Sequence, residues 1–200
     1  MNHREAMLNS LRTALRVPPV VEDDAPIARA LTDGTDVVAL LVDRLEDYKA
    51  IVVDARGDVA GAVGGAMSAR GITSAVIAPE LAAELRPTGV VLTEDHGLNA
   101  RALDAIPCAI TTCAVAVAET GTIMMTHEGG QGRRAISLVP DVHICVLRRD
   151  QVVGTVPEAV AQLGRPRLST WISGPSATSD IELSRVEGVH GPRTLIVVLQ

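Results

Sequence analysis

Apolar residues recur along the chain in short runs separated by stretches with helical spacing. Residues 3–16 place Met7, Leu8, Leu11 and Leu15 on one side and Arg4, Arg12 and Arg16 largely on the other, which predicts an amphipathic helix stopped by Val17-Pro18-Pro19. A proline-rich acidic stretch reaches Pro26 and reads as a tether. The pattern then predicts helix over 37–48, strand over 50–54, helix over 58–70 and strand over 73–78. A short helix at 80–85, a strand at 89–93 and a helix at 98–105 follow. Buried strands alternating with helices indicate βα units and a mostly parallel sheet covered by helices.

The middle of the chain changes character. Cys108–Ala118 and Gly121–Thr126 are extended apolar segments separated only by Glu119-Thr120, so adjoining antiparallel strands are expected, with a third strand at Val142–Leu147. Helical spacing returns at Pro157–Leu163, followed by a strand over Thr170–Ser173, a helix from about 179 to 187, and a last strand over Thr194–Leu199. These patterns divide the chain into an N-terminal helix and linker, residues 1–26, and a single α/β domain, residues 27–200.

Composition narrows the function. The net charge is −6 and Lys49 is the only lysine, so the basic footprint of a nucleic-acid binder is missing. Tyr48 and Trp171 are the whole aromatic set, too few to stack bases or flank an isoalloxazine. No apolar run reaches the length of about 20 residues that a membrane span requires, and Met1–Leu8 lacks the apolar core of a signal peptide. A cytoplasmic location is the expectation. Cys108, Cys113 and Cys145 fit neither a zinc motif nor the four thiolates of an iron–sulfur cluster, and Cys108 and Cys145 read as small core residues.

Four segments carry candidate chemistry. The glycines of Asp54–Gly65 follow a strand but depart from both the dinucleotide and the Walker spacing, so close packing of helix on sheet explains them. Glu119, in Ala118-Glu-Thr-Gly-Thr122, is either an exposed turn residue or a carboxylate poised between two apolar strands. Thr126–Arg134 sets Gly129, Gly130 and Gly132 beside Arg133 and Arg134; backbone amides and guanidinium groups in such a loop can cradle a carboxylate or phosphate. His127 and His143 lack metal-motif spacing and read as solvated or core histidines. In the last segment Ser173, Gly174, Ser176, Thr178, Asp180, Glu182 and His190 cluster around a strand-to-helix turn and a His-Gly-Pro corner, where amides and hydroxyls can bind an anion.

Ala118–Thr122, Arg133-Arg134 ahead of Leu138–Val146, Ser173–Glu182 and Gly188–Pro192 together resemble the LUD-domain family, in its lactate utilization protein C form, from about residue 35 to the C-terminus. The resemblance implies a Rossmann-like, mostly parallel α/β sheet with an antiparallel portion, similar to the sugar-isomerase and CoA-transferase superfamily. It also implies a part in oxidising L-lactate to pyruvate, as the subunit without a cofactor of its own beside partner subunits that carry iron–sulfur clusters. On that view Gly130, Gly132, Arg133, Arg134, Ser173, Gly174, Ser176, Thr178, Asp180 and Glu182 would hold a small carboxylate such as lactate or pyruvate. The alternative is an acyl-transferase-like or isomerase-like enzyme in its own right, with Glu119 as nucleophile or base and His190 as acid–base group. Thr120 stands where related CoA transferases carry asparagine.

Overall fold

A computed structural model describes residues 3–14, 31, 34–179, 185–187 and 190–200. The first helix, α1 (His3–Ala14), exposes its apolar stripe, with Met7, Leu8 and Leu11 all open to solvent. Asp36 caps α2 (Val37–Asp47) by accepting from the amides of Val38 and Ala39. β1 (Ile51–Asp54), α3 (Val59–Ser68), β2 (Ser74–Ile77), β3 (Val91–Glu94) and α4 (Ala100–Asp104) complete the βα units that the pattern predicts. The predicted helix at 80–85 narrows to one 3₁₀ turn at Ala83–Leu85.

β4 (Cys108–Thr112), β7 (Val142–Leu147) and β12 (Thr194–Leu199) join these strands in a six-stranded parallel sheet of order β1-β12-β7-β4-β2-β3. A second sheet orders β8 (Val152–Val153), β5 (Val115–Val117), β6 (Thr122–Met125) and β9 (Thr170–Ile172) as β8-β5-β6-β9, with α5 (Val156–Leu163) between β8 and β9 in the chain. The antiparallel expectation holds for β5 and β6. It fails for the first part of Cys108–Ala118: residues 108–112 run in the parallel sheet and only 115–117 enter the other, the chain changing sheets at Cys113-Ala114.

The helix expected over 179–187 is corrected. β10 (Ala177–Ser179) and β11 (Arg185–Glu187) pair antiparallel, with Thr178 opposite Val186. Thr178 and Ser179 are poor helix formers, and residues 180–184 of the expected helix lie outside the described residues.

Alternation along the central strands builds two cores. Ile144, Val146, Ile196 and Val198 pack on the α3 side with Val63 and Met67. Cys145, Leu147, Leu195, Val197 and Leu199 face α2 and the second sheet, meeting Leu41, Leu45, Ile123 and Met125. The outer face of the second sheet is closed by α5 through Val115, Val117, Met124 and Ala159. All three cysteines are buried free thiols, as expected for Cys108 and Cys145. Among the described residues no helix is long and apolar enough to cross a membrane.

Candidate carboxylate site

Strand β9 ends at Ser173-Gly174-Pro175, and this turn, the 190–192 corner and the 3₁₀ turn Arg134–Ser137 enclose a cleft of about 340 Å³. It opens near the amino-terminal ends of β7 and β12, since His143 and Leu195, each second in its strand, line it. Open α/β sheets more often bind ligands beyond their carboxyl ends. Here the second sheet supplies the missing wall through Thr170, Trp171 and Ile172 of β9.

Local geometry fixes the turn. Gly174 has φ +86°, and a Cβ there would lie 2.7 Å from Tyr48 Cβ and 3.0 Å from the Tyr48 carbonyl oxygen, so only glycine fits against the end of α2. Ser173 Oγ lies 2.8 Å from Thr122 Oγ1, which in turn lies 2.7 Å from Thr120 Oγ1, tying the turn to the β5–β6 hairpin. Across the cleft, the Ser176 hydroxyl accepts from the His190 amide at 3.0 Å, and the Ser176 amide donates to the Pro192 carbonyl at 2.8 Å. The resulting lining mixes a cation, Arg134, with the hydroxyl-bearing residues Ser137, Thr170, Ser173 and Ser176, two histidines and one tryptophan.

The predicted site residues divide. Arg134, Ser173, Gly174, Ser176 and His190 come together in the cleft. Thr178 is placed only as the middle residue of β10, while Asp180 and Glu182 lie outside the described residues. The glycine loop splits three ways. Gly130 lines a separate cavity of about 300 Å³ with Thr112, Cys113 and Arg148, near the carboxyl ends of β4 and β7. Gly132 and Arg133 line another with Asp95, His96 and His127. Glu119 is exposed at the β5–β6 turn, its amide donating to the Gly154 carbonyl at 3.0 Å, and it does not line the cleft.

The two arginines have different surroundings. Arg133 donates through Nε at 2.5 Å and Nη2 at 2.9 Å to the carboxylate of Asp95, whose side chain is 1% exposed, and its Nη2 also reaches the Leu98 carbonyl. Asp95 accepts further bonds from the amides of Gly97 and Leu98. Burial opposes ionisation of Asp95, but the Arg133 guanidinium and these amides outweigh it and hold its pKa below the ordinary value. Arg133 is therefore a structural brace. Arg134 is exposed, makes no ion pair or side-chain hydrogen bond among the described residues, and borders the cleft.

Four polar or aromatic lining residues are not among the site residues that the sequence predicts: Ser137, His143, Thr170 and Trp171. The one legible signal was His143 standing as the sole polar residue in the apolar run Val142–Leu147. Its ring is 1% exposed, Nε2 lies 2.8 Å from Thr111 Oγ1, and burial pushes its pKa down to about 4. His127, expected to be solvated or in the core, bridges the loop to the cleft wall, with Nδ1 3.1 Å from the Gly132 carbonyl and Nε2 2.7 Å from Thr170 Oγ1. Burial is also the main cause lowering its pKa.

These shifts set an acid profile. An unfolded histidine takes up its proton near pH 6.5, whereas folded His143 resists to about pH 4, so the unfolded state binds more protons in between. Stability is fully present above pH 6.5 and falls as pH drops through that window, by up to about 1.4 kcal/mol per pH unit from His143. Asp95, its folded pKa depressed, contributes stability above its ordinary value of 3.8 that is lost only below it. Urea melts from pH 7 to 4.5 should show this slope, and His143→Leu should reduce it, with His127 supplying the remainder. An unchanged slope in the variant contradicts the burial of a neutral His143.

A family model for the LUD domain matches residues 33–200. The chain is 43% identical to lactate utilization protein C of Deinococcus radiodurans over 184 residues, 88% of this chain and 82% of that protein. It is 37% identical to lactate utilization protein C of Shouchella clausii over 90 residues, 42% of this chain and 39% of the relative. The crystal structure of a DUF162 family protein from Deinococcus radiodurans matches with a TM-score of 0.70 at 36% identity, covering 87% of this chain and 99% of that one. With the parallel sheet, the added mixed sheet and a family match over residues 33–200, this chain belongs to the LUD-domain family.

Proposed function

We propose that this protein serves lactate utilization by binding a small carboxylate, lactate or pyruvate, in the β9 cleft. On this reading it is the subunit without a cofactor in a system that oxidises L-lactate, beside partner subunits that hold the iron–sulfur clusters. Its similarity to lactate utilization protein C of two bacteria supports the pathway. One observation carries the binding role: Arg134 borders a compact cleft with no carboxylate among the described residues to neutralise it, beside the hydroxyls of Ser173 and Ser176. A guanidinium can grip a carboxylate with two parallel hydrogen bonds, and hydroxyls can satisfy its remaining lone pairs. The cleft volume sits at the lower end of the range of about 300–1,000 Å³ usual for small-molecule sites, which suits a metabolite of a few carbons.

Acyl transfer through Glu119 would need a second reacting surface, because that side chain lies outside the cleft. Complementation separates the two readings. In a host lacking this gene, growth on L-lactate as sole carbon source should be restored by the wild type and by Glu119→Gln, and not by Arg134→Gln. Rescue by Arg134→Gln with failure of Glu119→Gln would favour the acyl-transfer enzyme. Unimpaired growth of the deletion strain, in a host with no other lactate oxidase, would remove the pathway assignment.

A further inference from the structure

His143 is buried to 1% exposure, yet it lines the cleft. Its sole hydrogen bond joins Nε2 to Thr111 Oγ1, and Nδ1 has no partner among the described residues. No fully enclosed side-chain nitrogen or oxygen among those residues is left unpartnered, so Nδ1 meets the open space of the cleft rather than the core.

Thr111 decides which way that nitrogen is protonated. It is fully buried on β4, on the same face as His143 on the neighbouring strand, and its hydroxyl touches only the imidazole. Were Nε2–H to donate to Thr111, the hydroxyl proton would be stranded in the core, and an orphaned buried donor costs about 1–3 kcal/mol. With the hydroxyl donating to Nε2, both groups are satisfied and the neutral ring carries its proton on Nδ1. The cleft floor therefore presents one N–H donor beneath the rim on which Arg134 stands.

We infer that His143 recognises the oxygen on the carbon next to the carboxylate and is the residue that selects 2-oxo and 2-hydroxy acids over simple carboxylates at this cleft. The inference rests on reading the cleft as a carboxylate site. A keto oxygen accepts from Nδ1–H directly; a 2-hydroxyl accepts from it and donates its own O–H to the oxygen of a lining serine. A ligand without that oxygen leaves the donor unpaired in a site closed to water on the protein side, which is how binding sites reject deoxy analogues.

Calorimetric titration of the full chain with pyruvate, L-lactate and propionate tests this, since propionate keeps the carboxylate and chain length but lacks the 2-oxygen. The wild type should bind pyruvate or lactate about tenfold or more tightly than propionate, the scale of one hydrogen bond. His143→Leu should bring all three acids within about threefold of one another, with pyruvate and lactate weakened and propionate bound no more weakly than by the wild type. Thr111→Val, which frees the ring to take either tautomer, should shrink the preference while the protein stays folded, and it carries the test if His143→Leu does not fold. Equal wild-type affinity for the three acids overturns this inference and leaves the carboxylate site standing, as does full discrimination in either variant. Failure of all three acids to bind overturns the carboxylate reading and this inference together.

Discussion

Arg134→Gln should weaken carboxylate binding roughly 10- to 150-fold with little change in melting temperature, the loss that a charge-assisted hydrogen bond of about 1.5–3 kcal/mol implies. Arg133→Gln should do the reverse. Arg134 is exposed at the cleft, so its removal strands no buried partner in the free protein. Arg133 braces a carboxylate that is 1% exposed, and without it Asp95 keeps only the amides of Gly97 and Leu98. Arg133 is itself 42% exposed, which screens the pair, so the expected destabilisation is about 1–3 kcal/mol rather than the larger cost of a wholly buried pair. Isothermal titration with pyruvate and denaturant melts of both variants read the two effects separately. Equal binding losses in the two variants would mean that the arginines act as one anion clamp, as their adjacency in sequence first implies.

Gly174→Ala should cost about 2–4 kcal/mol and abolish ligand binding, combining the left-handed backbone penalty of about 1–2 kcal/mol with a clash that cannot relax. The obstacles are Tyr48 Cβ and the Tyr48 carbonyl, atoms at the end of α2 rather than the tip of a flexible side chain. Moving the turn away from Tyr48 would pull Ser173 from Thr122 and shift the cleft wall. Ser173→Ala, which removes that one hydroxyl pair and no more, should cost only about 0.5–1.5 kcal/mol. Chemical denaturation of the two variants measures the difference; equal stability would show that the turn is not held against α2.

The βα half of the fold was legible because buried strands and amphipathic helices have different periods, and Asp36, Asp58 and Asn99 cap their helices where local rules place such residues. Two features were hidden by physics that sequence pattern does not record. Cys108–Val117 holds no glycine, proline or charged residue, and Thr111 and Thr112 suit a strand, so nothing in it marks the change of sheet at Cys113-Ala114. Thr178 and Ser179 are as suitable for capping a helix as for ending a strand, and the pairing with Arg185–Glu187 decided for the strand. In the cleft, turn chemistry announced Ser173, Gly174, Ser176 and His190. Arg133 and Arg134 could not be told apart, because the deciding partner, Asp95, lies 38 residues away in the chain. Trp171 was silent, and His143 showed only as a polar residue in an apolar run, because their places in the cleft come from which strand ends the fold brings together.

Trp171 offers the most direct test of the central claim that the β9 cleft holds a small carboxylate. It is the chain's only tryptophan, half exposed, and it lines that cleft, so its emission reports on the site alone. Titration with pyruvate or L-lactate should give a saturable change in tryptophan fluorescence in the wild type and none in Arg134→Gln over the same range. An unchanged signal at concentrations where calorimetry detects binding would place the ligand elsewhere, and an identical response in Arg134→Gln would remove the guanidinium from the account.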